Sequence, residues 1–309
     1  MCELTSQNPP LGTRLEHLKS LITLVIPTLN EEAALGPLIQ EAKSHGFEKI
    51  MVVDGYSRDG TTEVASKLGA EVVMQHGKGK AGALLTAFRV VTTPFLAVMD
   101  GDGSYNPADL LKFLPLLQNY DLIKGVRAMN ENMSRLHRLG NRIITRTFDL
   151  LLGTSIGDVC SGMYMIRTDV VKTLNLEKHP LTVEQEIAAQ VIQSSGSFTT
   201  VPIEYRMRSG GVSKTNTWRQ GFRDLVTNFD LARTYNPIIL FSALATLVLI
   251  PAFGILGYAA ILFLIRQGYH SGYFLAGLVL LVLGVQGLSV STIAVLLRRI
   301  DRKLSQLQR

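Results

Sequence analysis

The stretch "FLAVMDGDGSYNP", residues 95–107, carries five consecutive apolar residues into Asp100-Gly101-Asp102 and then into a segment that starts with Pro107. A short apolar run without polar alternation suits a strand covered on both faces, and a proline suits the first turn of a helix. Outward from it the same arrangement recurs in "LITLVIP" at 21–27, "KIMVVD" at 49–54, "AEVVMQ" at 70–75 and "DLIKGVR" at 121–127, with helix-like stretches between. Val- and Ile-rich strands alternating with helices predict an α/β fold with a parallel sheet. Ligands of such sheets bind beyond the carboxyl ends of the strands. The residues just after each run are therefore the ones to read for chemistry.

Those residues are acidic and polar: Asn30, Glu31 and Glu32 after the first run, Asp54 and Asp59 at the second, Asp100 and Asp102 at the fourth. Three acidic clusters are expected to converge on one edge, where gathered carboxylates repel and a bound cation offsets the repulsion. Gly101 lets the backbone turn so that both flanking carboxylates can enter one crevice. Asp100 and Asp102 are thus candidate metal ligands, and oxygen donors of this kind suit Mg²⁺ or Mn²⁺ shared with a diphosphate. A competing motif is "GKGKAG", Gly77 to Gly82, which has the G-x-G-x-x-G spacing of dinucleotide sites and acids about twenty residues downstream. The alternative it raises is an NAD-type dehydrogenase. Against that, the fingerprint belongs on the first strand and this one follows the third; otherwise it is a tight turn opening a helix, whose amides and Lys78 or Lys80 can touch a phosphate.

The rest of the composition points to a membrane. The 309 residues carry 31 Lys+Arg against 25 Asp+Glu, a formal charge of +6, with 18% charged and 47% apolar residues; mean hydropathy is +0.22. This balance excludes a disordered chain and a nucleic-acid-binding tail. Cys2 and Cys160 are too few for a disulfide framework or a cysteine-built zinc site. From Ile238 to Ile265 and from Ser271 to Leu297 there is no charged residue. About twenty apolar residues cross a bilayer, so the two runs predict a transmembrane hairpin joined at Arg266–His270. Residues 298–309 carry five Lys/Arg and one Asp, which places the C-terminus in the cytoplasm and the N-terminal part with it. Residues 1–20 mix charges with no apolar signal core. The expected protein is an integral membrane protein with both termini and its large domain cytoplasmic.

At these motifs the sequence resembles the family 2 glycosyltransferases, and within them the polyprenyl-phosphate sugar synthases such as dolichyl-phosphate mannose and glucose synthases. "VIPTLNEE", "VVDGYSRDGT" and "MDGDGSYNP", followed by "GVR" at 125–127, "DVCSG" at 158–162 and "RSGGVSK" at 208–214, carry the resemblance across residues 21–225. It implies an A-type glycosyltransferase fold, a divalent metal, a nucleotide-sugar donor and a polyprenyl or dolichyl phosphate acceptor. By resemblance Pro27, Glu31, Asp54 and Asp100 hold the nucleoside and Asp102 the metal. Arg127 and Arg138 face the acceptor phosphate, and Arg208, Ser213 and Lys214 close over the diphosphate as a flexible loop. Mannose synthases usually read D-D-x-S where this chain has Asp54-Gly55-Tyr56-Ser57, and their metal loop is one residue shorter. The donor is left between the GDP-mannose and UDP-glucose types.

Basic residues gather near the membrane part. Six Lys/Arg lie in 124–147 and five, without an acid, in 206–223. Arg135, Arg138, Arg142 and Arg146 recur at helical spacing beside Leu136, Leu139 and Ile143, and Trp218, Phe222, Leu225 and Phe229 form a second stripe with Arg219 and Arg223. Both read as amphipathic helices at a membrane surface. A lipid monophosphate is its own nucleophile, so no general base is required; Glu184 and Glu186 in "VEQEI" are reserve bases for the alternative of a hydroxyl acceptor. The organisation expected is an N-terminal extension (1–20), a cytoplasmic catalytic domain (21–215), a juxtamembrane amphipathic helix (216–237), a transmembrane hairpin (238–297) and a basic tail (298–309).

Overall fold

The structure, a computed structural model, describes residues 11–128, 135–174, 176, 182–194, 196–208, 217–265, 268 and 270–307. Two compact units are formed, one from the chain up to Asp149 with Thr154–Thr227, the other from Leu150–Gly153 with Asn228–Arg309.

In the first unit helix α1 (Leu11–Ser20) leads into β1 (Ile22–Thr28), α2 (Glu32–Ser44), β2 (Ile50–Asp54), α3 (Thr61–Lys67), β3 (Glu71–Met74), α4 (Gly79–Val90) and β4 (Phe95–Val98). All five apolar runs of the sequence are strands, the fifth being β5 (Leu122–Arg127). Their burial explains the lack of alternation: every residue of β2 and nearly every residue of β1 is enclosed. Helix α2 covers one face with Ala34, Leu35, Leu38, Ile39 and Ala42, a one-sided spacing of a 3.6-residue period. Leu24, Ile26, Val52, Ala97 and Met165 from the sheet meet Leu35, Ile39, Phe47 and Phe113 in the core.

The sheet order is β3-β2-β1-β4-β6-β5-β7. Pairings among β1 to β4 are parallel, as is β5 with β7 (Phe198–Ile203), but β6 (Tyr164–Arg167) runs antiparallel between β4 and β5. The sheet is therefore mainly, not wholly, parallel. Pro202 inside β7 is tolerated because β7 is an edge strand, where a missing N–H leaves no neighbour unpaired. Because β2 and β4 leave β1 on opposite sides, the strand order reverses at β1 and β4, and a crevice opens beyond their carboxyl ends.

Helix α5 (Arg135–Leu152) follows β5, the one-turn α6 (Thr168–Val171) follows β6, α7 (Val183–Gln193) precedes β7, and α8 (Thr217–Tyr235) spans the boundary between the units. On α5 Asn141, Ile144, Thr145 and Phe148 are buried, while Leu136, Leu139 and Ile143 are about half exposed on the opposite side, flanked by exposed Arg142 and Arg146. On α8 Phe222, Arg223, Val226 and Phe229 are exposed.

The second unit is dominated by α9 (Pro237–Leu264) and α10 (Ser271–Leu307). Gly277 lies against Leu256, Gly284 against Leu249 and Gly287 against Ala245. Numbers rising on one helix as they fall on the other make this an antiparallel hairpin, with glycines admitting the close approach. Leu240–Leu264 and Ser271–Ile293 are long and apolar enough to cross a membrane. Their outer surfaces are apolar and open, with Leu247, Ile250, Phe253 and Leu264 all more than 60% exposed, unlike the core helices of a water-soluble protein. Helix α10 also continues beyond Leu297 through the basic segment to Leu307.

Candidate active site

A cavity of about 830 Å³ opens at the carboxyl ends of β1 to β4. Pro27 to Leu29 and Glu31 line it after β1, Gly55 and Tyr56 after β2, Gln75 and Gly77 to Lys80 after β3, and Asp100 to Asp102 after β4; Cys160, Thr182, Glu184, Gln185, Arg208 and Asp224 complete the wall. Of the residues read from the sequence, Pro27, Glu31, Asp100, Asp102 and Arg208 meet here. Ser213 and Lys214 lie outside the described residues.

Two cations organise the carboxylates. Lys80, on the first turn of α4, sits between Asp100, 2.5 Å from its Oδ1, and Glu184, with which it makes a second ion pair. Burial works against its charge, but the two carboxylates outweigh that and hold its pKa well above the ordinary lysine value. Arg208 pairs with Glu31, and its Nε stands 3.7 Å from Asp102 Oδ2. Asp102 Oδ1 accepts from the Ser104 amide at 3.0 Å and its hydroxyl at 2.5 Å. The "GKGKAG" motif is thus a tight turn, with Gly77 at φ +95° and Gly79 at φ +65°, that delivers a lysine to the acids. A Cβ on Gly82 would come within 2.9 Å of the Gly77 backbone, so this glycine serves packing of the helix on its own turn.

The loops after β1, β2 and β4 converge on the cavity, but of the first two acidic clusters only Glu31 lines its wall, and hydrogen bonds between the loops hold the others. Glu32 accepts from the Gly60 amide at 2.9 Å, and Asp59 accepts from the amides of Glu32 and Thr61 at 3.3 and 3.2 Å. Asn30 Oδ1 accepts from the Arg58 amide at 2.7 Å. These side chains sew the loop after β1 to the loop after β2. Burial would raise the Asp59 carboxyl, but the Thr61 hydroxyl and the backbone amides of Glu32, Thr61 and Asp59 itself hold it below the usual value. Asp54 is fully buried; it accepts from the Ser57 amide and hydroxyl at 2.7 and 2.5 Å and from the Thr28 hydroxyl at 3.4 Å, and is not part of the cavity wall. Among the described residues no group of three or more Asp, Glu, His or Cys is placed to hold a metal ion. Asp100 and Asp102 both line the cavity.

Arg127 is placed elsewhere than the cavity wall. Its Nε donates to Asp158 Oδ2 at 2.7 Å and one terminal nitrogen to Oδ1 at 3.0 Å, while Asn141 donates to the same carboxylate at 3.0 Å. Asp158 has no exposed surface. Burial would raise it, but the Arg127 charge and the hydrogen bonds from Arg127 and Asn141 hold it below the usual carboxylate range. Lys124, counted from sequence among the basic residues near the membrane, is buried and donates to the Ser161 carbonyl at 2.7 Å; burial pulls its pKa down to about 8, against the pull of Glu184 and Asp158. Both cations belong to the interior rather than to a membrane-facing surface. Arg138 sits half-buried on α5 and outside the cavity wall.

The reserve bases separate as positions two apart on a helix must. Glu184 faces the cavity and Lys80; Glu186 is fully buried, with Gln190 donating to it at 3.4 Å. Sequence reading missed Tyr56, whose ring is 62% exposed and whose φ of +65° lies in the left-handed region. Such a tyrosine costs about 1–3 kcal/mol, a strain that gathers at functional sites. It also missed Asp224 and Gln185, which only α8 and α7 bring to the wall. Burial and the nearby Asp158 and Asp224 carboxylates push the Cys160 thiol up to about 12, which favours the neutral thiol.

The model of glycosyl transferase family 2 matches residues 23–174. Glycosyltransferase AglJ of Haloferax volcanii is 30% identical over 289 residues, covering 91% of this chain and 95% of that protein. The dolichyl-phosphate hexose transferase of the same organism is 30% identical over 194 residues, 61% of this chain and 84% of that one. Among solved structures, glucosyl-3-phosphoglycerate synthase from Mycobacterium tuberculosis in complex with Mn²⁺, UDP and phosphoglyceric acid superposes with a TM-score of 0.60 at 19% identity, over 74% of this chain and 85% of that one. That likeness shows the A-type glycosyltransferase fold. With the acid-and-cation cavity at the strand ends and a relative matched over nearly its whole length, the chain belongs to glycosyl transferase family 2.

Proposed function

We propose that the protein transfers a hexose from a nucleotide-sugar to a polyprenyl or dolichyl phosphate at a membrane surface. What carries the reading is the cavity itself, where Asp100 and Asp102 face Lys80 and Arg208. Cationic side chains beside paired carboxylates suit a diphosphate and its counter-ion. Asp100 and Asp102 fit Mg²⁺ or Mn²⁺, because such ions take one or two carboxylates and complete their shell with phosphate oxygens. When bound, such an ion supplies charge neutralisation for the departing diphosphate.

The chain's own residues do the rest. Pro27, Glu31 and the loop after Asp54 form the nucleoside end, where the open ring of Tyr56 offers a flat face to a base. Lys80 and Arg208, joined by Ser213 and Lys214, stabilise the diphosphate. An oxygen of the acceptor monophosphate attacks the anomeric carbon; a new C–O bond forms, and the anomeric C–O bond to the nucleoside diphosphate breaks, so that the nucleoside diphosphate leaves. A phosphate monoester with a second pKa near ~6 is mostly dianionic at neutral pH and needs no base. Glu184 suits this role division, since Lys80 already occupies its carboxylate. Arg138, on the helix whose half-exposed apolar stripe is flanked by arginines, is assigned to the acceptor phosphate. That stripe and the open aromatic residues of α8 suit a bilayer surface, and the name of the dolichyl-phosphate hexose transferase supports the acceptor class. The large domain and both termini are assigned to the cytoplasm by the basic tail.

The test is a panel of UDP- and GDP-sugars given to membranes containing the full chain and a short polyprenyl phosphate. One donor should yield lipid-linked sugar, and excess chelator or Asp102→Ala should abolish the transfer while cooperative unfolding is retained. Transfer to a sugar hydroxyl instead, abolished by Glu184→Gln, would replace the phosphate acceptor with a hydroxyl one.

A further inference from the structure

Asp100 and Lys80 differ in how each is held. The Asp100 carboxylate lies on Gly162 so closely that a Cβ there would sit 2.4 Å from its Oδ2 and 2.8 Å from its Cγ. It therefore packs directly on the backbone at that point. Lys80 instead reaches Asp100 at the end of a four-carbon side chain, about one-third exposed, from the glycine turn that opens α4. It is also held by Glu184 from α7, so its ammonium has a second partner to fall back on. Asp102, by contrast, accepts from Ser104 and has Arg208 as its cationic neighbour among the described residues, at a long 3.7 Å.

We propose that Lys80 is the resident counter-cation of Asp100: it occupies that carboxylate in the resting protein, competes there with a divalent cation, and on displacement turns its charge to the donor's diphosphate. The proposal rests on the reading of this cavity as a nucleotide-sugar site. A single ammonium would thus serve two partners in turn. It keeps the acids from repelling one another while the cavity holds solvent, and it meets the phosphates once a divalent ion has taken its place.

The consequence is a pair of effects of opposite sign, which a merely structural lysine does not produce. In the full chain purified in detergent, Mn²⁺ binding without nucleotide is followed by the electron paramagnetic resonance of the free ion. Binding of UDP and of GDP at saturating Mn²⁺ is followed by calorimetry. Lys80→Met should bind Mn²⁺ alone at least fivefold more tightly than wild type and the nucleoside diphosphate at least tenfold more weakly. Lys78→Met, which removes a charge from the same turn and cavity wall, should leave Mn²⁺ affinity within about twofold. If Lys80→Met does not fold, Lys80→Gln removes the charge while keeping a donor to Glu184, and the same pair of effects is expected. Unchanged or weaker Mn²⁺ binding in the Lys80 variant, or equal tightening in the Lys78 variant, overturns the proposal and leaves the donor-site reading standing so long as wild type binds either nucleotide. Wild type that binds neither nucleotide overturns both.

Discussion

At the scale of single residues, Gly162 decides where Asp100 stands. An added carbon would meet the carboxylate at 2.4 Å, so the carboxylate would have to shift. The clash falls on a side chain end and not on the backbone, so Gly162→Ala should displace Asp100 without unfolding the chain. The expected outcome is a fall in kcat/KM for the donor of at least tenfold, roughly 1.4 kcal/mol or more of transition-state stabilisation, with the thermal midpoint kept within a few degrees. Steady-state kinetics and melting of the same preparation check it; wild-type kinetics in this variant would mean that Asp100 need not stand where it does. The "SG" of "DVCSG" is thus explained by contact: Ser161 offers its carbonyl to Lys124, and the Gly162 amide donates to the Tyr105 hydroxyl at 2.8 Å.

At the scale of elements, the end of β5 is locked to the loop between α5 and β6. The Arg127 guanidinium supplies two hydrogen bonds to Asp158 and its backbone amide a third, Asn141 of α5 a fourth, and the Tyr205 ring lies 5.3 Å from the guanidinium. Removing one partner of such a buried pair strands the other, at a cost of about 3–5 kcal/mol. Arg127→Met should therefore lower the unfolding midpoint markedly, and Arg127→Met combined with Asp158→Asn should recover part of the loss, since the stranded charge is then gone. Circular dichroism melting of the three proteins checks this. Because the locked loop also carries Gly162, the single variant should lose donor and acceptor efficiency together. A stable Arg127→Met protein impaired only in acceptor KM would return Arg127 to the role of a phosphate ligand.

At the scale of the whole chain, apolar segments of 25 and 23 residues within α9 and α10 and a basic tail argue for a hairpin with both ends on one side. In a background lacking Cys2 and Cys160, Ser271→Cys and Gln308→Cys should be labelled by an impermeant maleimide from opposite faces of sealed vesicles. Labelling of both from the same face would mean that the second helix does not span.

Five strands, the acidic turn at Asp100-Gly101-Asp102 and the two long apolar C-terminal helices were legible in the sequence, because each is a local signal: apolar runs of the right length, turn residues, absence of charge. The antiparallel β6 was not, since "YMIR" at 164–167 carries no mark of direction and its place depends on which neighbours the sheet leaves open. Nor were the fates of the charged residues. Glu32, Asp59 and Asn30 look like ligands but bind loop amides; Arg127 and Lys124 look like surface cations but are enclosed; Lys80, in a motif that suggests a dinucleotide, is placed between Asp100 and Glu184. Residue type determined what each side chain was able to do. Which of these roles it took was decided by the tertiary structure, because a charge settles on whichever partner the fold brings within reach in a region that excludes water, and those partners are far away along the chain.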